Sequence, residues 1–179
     1  TAAVRSGPSP SDCAKMSLSC ACHNLRRASR AVTQLFDSYF DEVGLKATQF
    51  TVLAALAWAD ERTPTIGELA ETLVLEQSSL SRNLAVLERL GFIRLVPGED
   101  DRRERMVSLT RSGRAALARG FPVWKKAQAA ITSALETSEL DSQIRALRRL
   151  TKTALALRRA KSRARPAAVA DRDRTLRQA

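Results

Sequence analysis

TIGELAETLVLEQSSLSRNLAVLERLGFIRLVPGEDDRRERMVSLT, residues 65–110, is the stretch on which the fold turns. It opens on Thr65-Ile66-Gly67-Glu68, the S/T-x-x-E pattern in which a hydroxyl and a carboxylate satisfy the exposed amides of a helix start. A short helix over 65–73 follows. Val74 and Leu75 lead into polar Glu76-Gln77-Ser78-Ser79, which starts a second helix running to Leu90 and stopped by Gly91. At about 100° per residue, Leu80, Leu84 and Leu87 share one face of that helix, with Ser78, Arg82 and Arg89 nearly opposite. Two β-prone runs, 92–96 and 105–109, flank the turn-forming Pro97-Gly98-Glu99-Asp100-Asp101-Arg102-Arg103, which predicts a hairpin.

Working outward, the chain is helical on both sides. Downstream, a helix from 111 to about 136 contains Pro122, where a missing backbone donor predicts a kink. A last helix over 138–159 places Leu140, Ile144, Leu147, Leu150, Ala154 and Leu157 at steps of three and four, the seam of a helix that packs along another. Upstream, 47–59 reads as a core helix carrying Phe50, Leu53, Ala54, Ala57 and Trp58. Residues 18–43 read as one long helix with apolar positions from Leu25 through Val32, Phe36 and Tyr39 to Phe40, ending near Gly44. Residues 1–11 lack an apolar period, and 1–16 are assigned to a flexible arm. There is no internal repeat. The order of helices, hairpin and long helices is that of a mainly α (α+β) winged helix-turn-helix with helical extensions.

Composition narrows the partner. The 179 residues carry 30 Lys and Arg against 19 Asp and Glu, a net charge of +11, which attracts polyanions. Part of this is local: from Arg158 onward there are eight basic residues against Asp171 and Asp173, and residues 161–179 are assigned to a basic tail. No dinucleotide, phosphate-loop, zinc-protease or nucleophile-elbow pattern occurs, and there is one histidine, so catalysis is not expected. No cofactor is expected either. Cys13, Cys20 and Cys22 are an odd number crowded at one end, a poor disulfide framework, which points to a reducing cytoplasm. Cys20 and Cys22 point about 200° apart on a regular helix, which argues against a metal site with His23. No run approaches the roughly 20 apolar residues of a membrane span.

The helix over 77–90 offers Gln77, Ser78, Ser79, Ser81, Arg82 and Asn83 to a partner. Its start favours phosphate, Arg82, Gln77 and Asn83 can read base edges in a major groove, and the serines permit close approach. Taken alone, Arg82 and a basic hairpin are more often a solvated charged face. The stretch from Leu69-Ala70 to Leu90-Gly91-Phe92-Ile93, followed by Asp101-Arg102-Arg103-Glu104-Arg105-Met106-Val107-Ser108-Leu109-Thr110 and by Gly113, resembles the MarR (multiple antibiotic resistance regulator) family. Asp101, Arg103, Val107, Leu109 and Thr110 fall in register with that family's wing pattern, D-x-R-x-x-x-V-x-L-T.

The resemblance implies a homodimeric transcription regulator on a pseudo-palindromic duplex-DNA operator. Residues 46–110 would form the DNA-binding lobe, and 17–45 with 111–160 the helical dimerisation region. By position, Arg103 would enter the minor groove with Asp101 orienting it, and Arg102 and Arg105 would add phosphate or groove contacts. The same resemblance implies a repressor released by a small organic effector, for which Phe36, Tyr39, Phe40 and Trp58 are candidate lining residues. Around Cys22 the segment 22–31 also resembles the peroxide-sensing OhrR branch, making Cys22 a candidate redox residue. The two tyrosines expected to support it would fall at Arg26 and Phe36. A remote alternative is a helical interaction module whose basic tail binds RNA or membrane.

Overall fold

The computed structural model describes residues 7–59, 62–98, 101 and 103–163. The elements are α1 (Pro10–Ser19), α2 (Ala21–Phe40) with a 3-10 turn (Asp41–Val43), α3 (Ala47–Trp58), α4 (Ile66–Leu73) and α5 (Gln77–Arg89). They continue with β1 (Ile93–Pro97), β2 (Arg105–Leu109), α6 (Arg111–Leu135) and α7 (Thr137–Arg163). This is the mainly helical winged helix-turn-helix that the residue pattern predicts. The contacts divide it into two compact units, one running to Gln128 and the other beginning at Ala129.

The amino-terminal half differs from expectation in two places. The segment assigned to a flexible arm carries α1, because Ser9 accepts from the Asp12 amide while Asp12 accepts from the Ser9 amide, and Pro10 sits in the first turn. The Ser9 hydroxyl, which donates to the Asp12 carboxylate at 2.7 Å, and then the Ser9 amide hold the Asp12 carboxyl below its ordinary pKa. The single long helix expected over 18–43 is interrupted at Cys20, whose backbone is extended (φ −71°, ψ 112°). There Asn24 donates its side-chain amide to the carbonyls of Ser17, Leu18 and Cys20, at 3.0–3.3 Å. Carbonyls left over at the end of α1 are thus satisfied by a side chain of α2. The expected tail begins inside α7, which continues to Arg163; the rest of that tail, and residues 1–6 of the arm, lie outside the described residues.

The core of the first unit has two parts. Leu80, Leu84 and Leu87 of α5 are fully buried and pack with Val52, Leu53 and Leu56 of α3, Leu69 and Ala70 of α4, Ile93 and Val107 of the hairpin, and Ala116 of α6. A second cluster gathers Phe40, Leu45, Phe50 and Val123, with the Phe40 and Phe50 rings 4.8 Å apart. Asp37 ties α2 to α3 by accepting from the Ala47 amide at 2.7 Å. Helix α6 runs unbroken through Pro122. No residue of α7 is buried.

Candidate nucleic-acid interface

Local chemistry positions α5. Thr65 accepts from the Glu68 amide and Glu68 accepts from the Thr65 amide, at 3.1 and 3.0 Å, so the capping box read in the sequence is formed. The amide bond, with help from the nearby Arg62 cation and against desolvation, keeps the Glu68 carboxyl below its ordinary pKa. Helix α4 then ends at Val74, which takes the left-handed conformation (φ 53°, ψ 42°) and sends the Leu75 amide back to the Ala70 carbonyl at 2.9 Å. A β-branched residue is strained there, since its Cβ crowds the backbone. That reversal joins α4 to α5 through a short connection.

With its leucines buried, α5 presents Gln77, Ser78, Ser79, Ser81 and Arg82 as exposed residues, and Asn83 is half-buried. Arg82 lies over the first turn, its Nη2 3.4 Å from the Ser79 hydroxyl. Ser81 donates its hydroxyl to the Gln77 carbonyl at 2.8 Å, so towards a partner it is left to act as an acceptor. The helix start therefore exposes an amide, hydroxyls and a guanidinium, with Ser78 and Arg82 on the face opposite the leucines and the positive end of the helix dipole beneath them.

The wing is an antiparallel hairpin in which Ile93 pairs with Leu109, Leu95 with Val107 and Pro97 with Arg105. It is fastened to the lobe by the Val107 amide, which donates to the Pro64 carbonyl at 2.9 Å, and by a bridge between Thr65 and Met106. At the tip, the Asp101 carboxylate accepts from the Arg103 amide at 2.8 Å, and the Gly98 amide reaches the Glu104 carbonyl at 3.0 Å. A Cβ at Gly98 would come within 2.7 Å of the Asp101 carbonyl oxygen, so this turn requires glycine. Asp101 thus holds the backbone of the wing tip, leaving the Arg103 guanidinium to project. Arg103 and Arg105 are exposed; Arg102 lies outside the described residues. Arg94, exposed on β1 opposite Ser108, is a further cation on the hairpin that reading the residue pattern passed over.

The base of the wing explains why the Leu-Thr-x-x-Gly run matters. Thr110 donates its hydroxyl to the Gly91 carbonyl at 2.6 Å and accepts from the Gly113 amide at 3.0 Å, while Ser112 donates to the same Gly91 carbonyl. A Cβ at Gly113 would lie 1.9 Å from the Phe92 carbonyl oxygen, so only glycine lets α6 start against the segment that leads from α5 into β1.

A separate hollow of about 1040 Å³ opens within the first unit, lined by Phe36, Phe40, Phe50, Trp58, Leu117, Phe121 and Trp124 among others. Arg114 is the one charged side chain among its described lining residues. Of the residues proposed from the sequence, Phe36, Phe40 and Trp58 line it, whereas Tyr39 packs on the Phe40 cluster. The contribution of α6 to this wall went unrecognised. Cys22 is exposed in the first turn of α2; Cys13 is exposed and Cys20 half-buried, all three as thiols. Among the described residues no group of three or more metal-binding side chains converges, and no helix is long and apolar enough to cross a membrane.

A short-turned helix pair whose second helix shows a polar, cationic face, followed by a wing fastened to its base, defines the winged helix-turn-helix class. The MarR family model matches residues 43–104. The M. tuberculosis transcriptional regulator MosR, solved in complex with DNA, is 35% identical, with a TM-score of 0.70 over 78% of this chain and 98% of that one. The transcriptional activatory protein BadR of Rhodopseudomonas palustris is 38% identical over 72 residues, 40% of this chain. That match spans 41% of BadR, less than half its length. The fold is also that of a mutant MarR from E. coli complexed with operator DNA, at 22% identity and a TM-score of 0.67 over 75% of this chain and 96% of that one. The chain belongs to the MarR family.

Proposed function

We propose that the protein is a sequence-specific transcription repressor that binds a pseudo-palindromic duplex operator as a homodimer and is released by a small organic ligand. The observation that carries this reading is the face of α5: Gln77, Ser78, Ser79, Ser81 and Arg82 stand exposed over three leucines that are completely buried. A rigid backing of this kind lets a helix enter a major groove without rearranging. Arg103, with Arg105 and Arg102 on the same wing, supplies flanking groove and phosphate contacts. The DNA complex solved for MosR supports this partner.

Two further observations support the remaining parts. On α7, Leu147, Leu150 and Leu157 are 48%, 39% and 66% exposed in the single chain, an apolar seam that a second copy would cover. The aromatic hollow with Arg114 at its wall suits a planar organic anion, whose ring would stack and whose charge would be paired. Release by ligand is favoured over release by thiol oxidation. The chain's one tyrosine, Tyr39, lies about 25 Å along α2 from Cys22, and Phe36 faces the hollow.

Selection of duplexes from a random library tests the reading. The wild type is expected to enrich two half-sites about one helical turn apart. Arg82→Ala is expected to lose about 1–3 kcal/mol of discrimination at one position in each half-site, and Arg103→Ala to relax preference in the A·T flanks while keeping the centre. Failure of the wild type to enrich any motif overturns the proposal.

A further inference from the structure

The helix α7 carries a second charged surface that the recognition elements do not explain. From Arg145 to Arg163 it contains eight basic residues and no acidic one. Six of these, Arg145, Arg148, Arg149, Lys152, Arg159 and Arg163, fall within an arc of about 100° and run about 27 Å along the axis. All six are exposed, and none makes an ion pair among the described residues. The arc lies opposite the seam of Leu140, Ile144, Leu147, Leu150, Ala154 and Leu157.

An ordinary solvated helix face alternates the signs of its charges, because like charges three or four residues apart repel by about 0.2–0.5 kcal/mol per pair. Here Arg145 is followed by Arg148 and Arg149, these by Lys152, and Arg159 by Arg163, so from Arg145 onward every close neighbour in the stripe is repulsive; the acidic Asp141 on the same face precedes it by one turn. Such a face is unfavourable alone and becomes favourable when a regular array of anions neutralises it. Five of the six are arginines, whose planar fork matches a phosphate. Along 27 Å a duplex presents roughly 16 phosphate charges. The opposite seam has the spacing of helix packing and no aromatic residue, unlike the apolar face of a helix that lies in a membrane interface.

We infer that the basic stripe of α7 is a second, sequence-independent binding surface for the phosphate backbone of duplex DNA, distinct from α5 and the wing. The inference rests on the DNA-binding reading above. It adds that α7, joined to α6 through Glu136 alone, engages duplex at the high effective concentration that a covalent tether gives. The stripe contributes to affinity and to its salt dependence, and contributes nothing to the choice of sequence.

The test is fluorescence anisotropy of a labelled 40-base-pair random-sequence duplex, titrated with full-length protein between 50 and 200 mM KCl. The triple variant Arg148→Gln, Arg149→Gln, Lys152→Gln is compared with wild type, and Arg159→Gln with Arg163→Gln forms an independent pair at the other end. Because log affinity falls by about 0.9 per phosphate contact for each decade of salt, the triple variant is expected to show a slope shallower by about 2 or more. Replacing Arg148 and Arg149 by Lys, which keeps the charge, is expected to restore it. Circular dichroism and sedimentation are expected to be unchanged, since the stripe lies opposite the seam. Equal slopes for wild type and both neutralised variants overturn the inference and leave the function standing. Equal slopes with lost binding to phosphatidylserine vesicles also overturn it and assign the stripe to a membrane. A wild type that binds neither this duplex nor any selected one overturns both readings.

Discussion

Helices α5 and α7 are built alike and end up in different situations. Each sets leucines at helical spacing against a polar face carrying arginines, yet the leucines of α5 are fully buried whereas Leu147 and Leu157 of α7 are 48% and 66% exposed. Helical periodicity reports that a face needs covering and is silent about what covers it. For α5 the cover comes from α3, α4, the hairpin and α6 of the same chain. The stability of α5 is therefore internal to the lobe, and that of α7 is open to whatever else its seam meets.

The sharpest way to break this contrast is to truncate one leucine on each helix. Leu84→Ala removes a completely buried side chain and is expected to destabilise the lobe by about 2–5 kcal/mol. Leu147→Ala is expected to leave the unfolding of dilute protein nearly unchanged and to lower the urea midpoint only as protein concentration rises. Midpoints taken at two concentrations decide the matter: equal losses for both variants at both concentrations would mean that the seam is covered within one chain.

A finer contrast uses the two non-glycine residues in left-handed backbone among the described residues, Val74 in the lobe and Glu136 between α6 and α7. Val74 is β-branched and half exposed, so Val74→Gly relieves strain with little loss of packing. A gain of about 0.5–1 kcal/mol is expected after the extra unfolded-state entropy of glycine is set against it. Glu136→Gly is expected to gain less, because its side chain is unbranched at Cβ. Thermal unfolding of the pair would contradict this ordering if Glu136→Gly were the more stabilising.

The smallest effect concerns pH. The folded-state pKa of Glu68 is depressed, so its contribution is fully present above the unfolded value and is lost as pH falls through the folded one. Glu68→Gln should flatten the acid limb of the lobe's urea midpoint between pH 6 and 3, and a limb that stays parallel to wild type would remove Glu68 from the acid response.

The same contrast explains what could be read from the residues alone. The lobe was legible because its signals are local: Thr65 with Glu68, the leucines of α5, and the turn residues at the wing tip each act within a few positions. Helix α1 is equally local, through Ser9, Pro10 and Asp12, but it buries no residue and so carries no apolar period to announce it. The break at Cys20 depends on Asn24 reaching back seven residues to Ser17, which no periodicity reveals. The hollow was legible only in part, since Phe36, Phe40 and Trp58 meet Arg114, Leu117, Phe121 and Trp124 through contacts between distant segments. Asp101 was expected beside the Arg103 side chain, and the contact it makes is to the Arg103 backbone amide.

The junction at Gly91 has a consequence for how this chain can vary. A carbonyl has two lone pairs, and here Thr110 and Ser112 both donate to that of Gly91, 19 and 21 residues away. The two ends of the hairpin are therefore pinned to one atom, independently of what lies between them. Residues added to or removed from the tip around 98–104 alter how far the wing reaches without moving its root, and lengthening a closed loop is cheap, about 0.6 kcal/mol for each doubling. The length of the wing can thus change by insertion and deletion while its root, and α5 behind it, stay where they are.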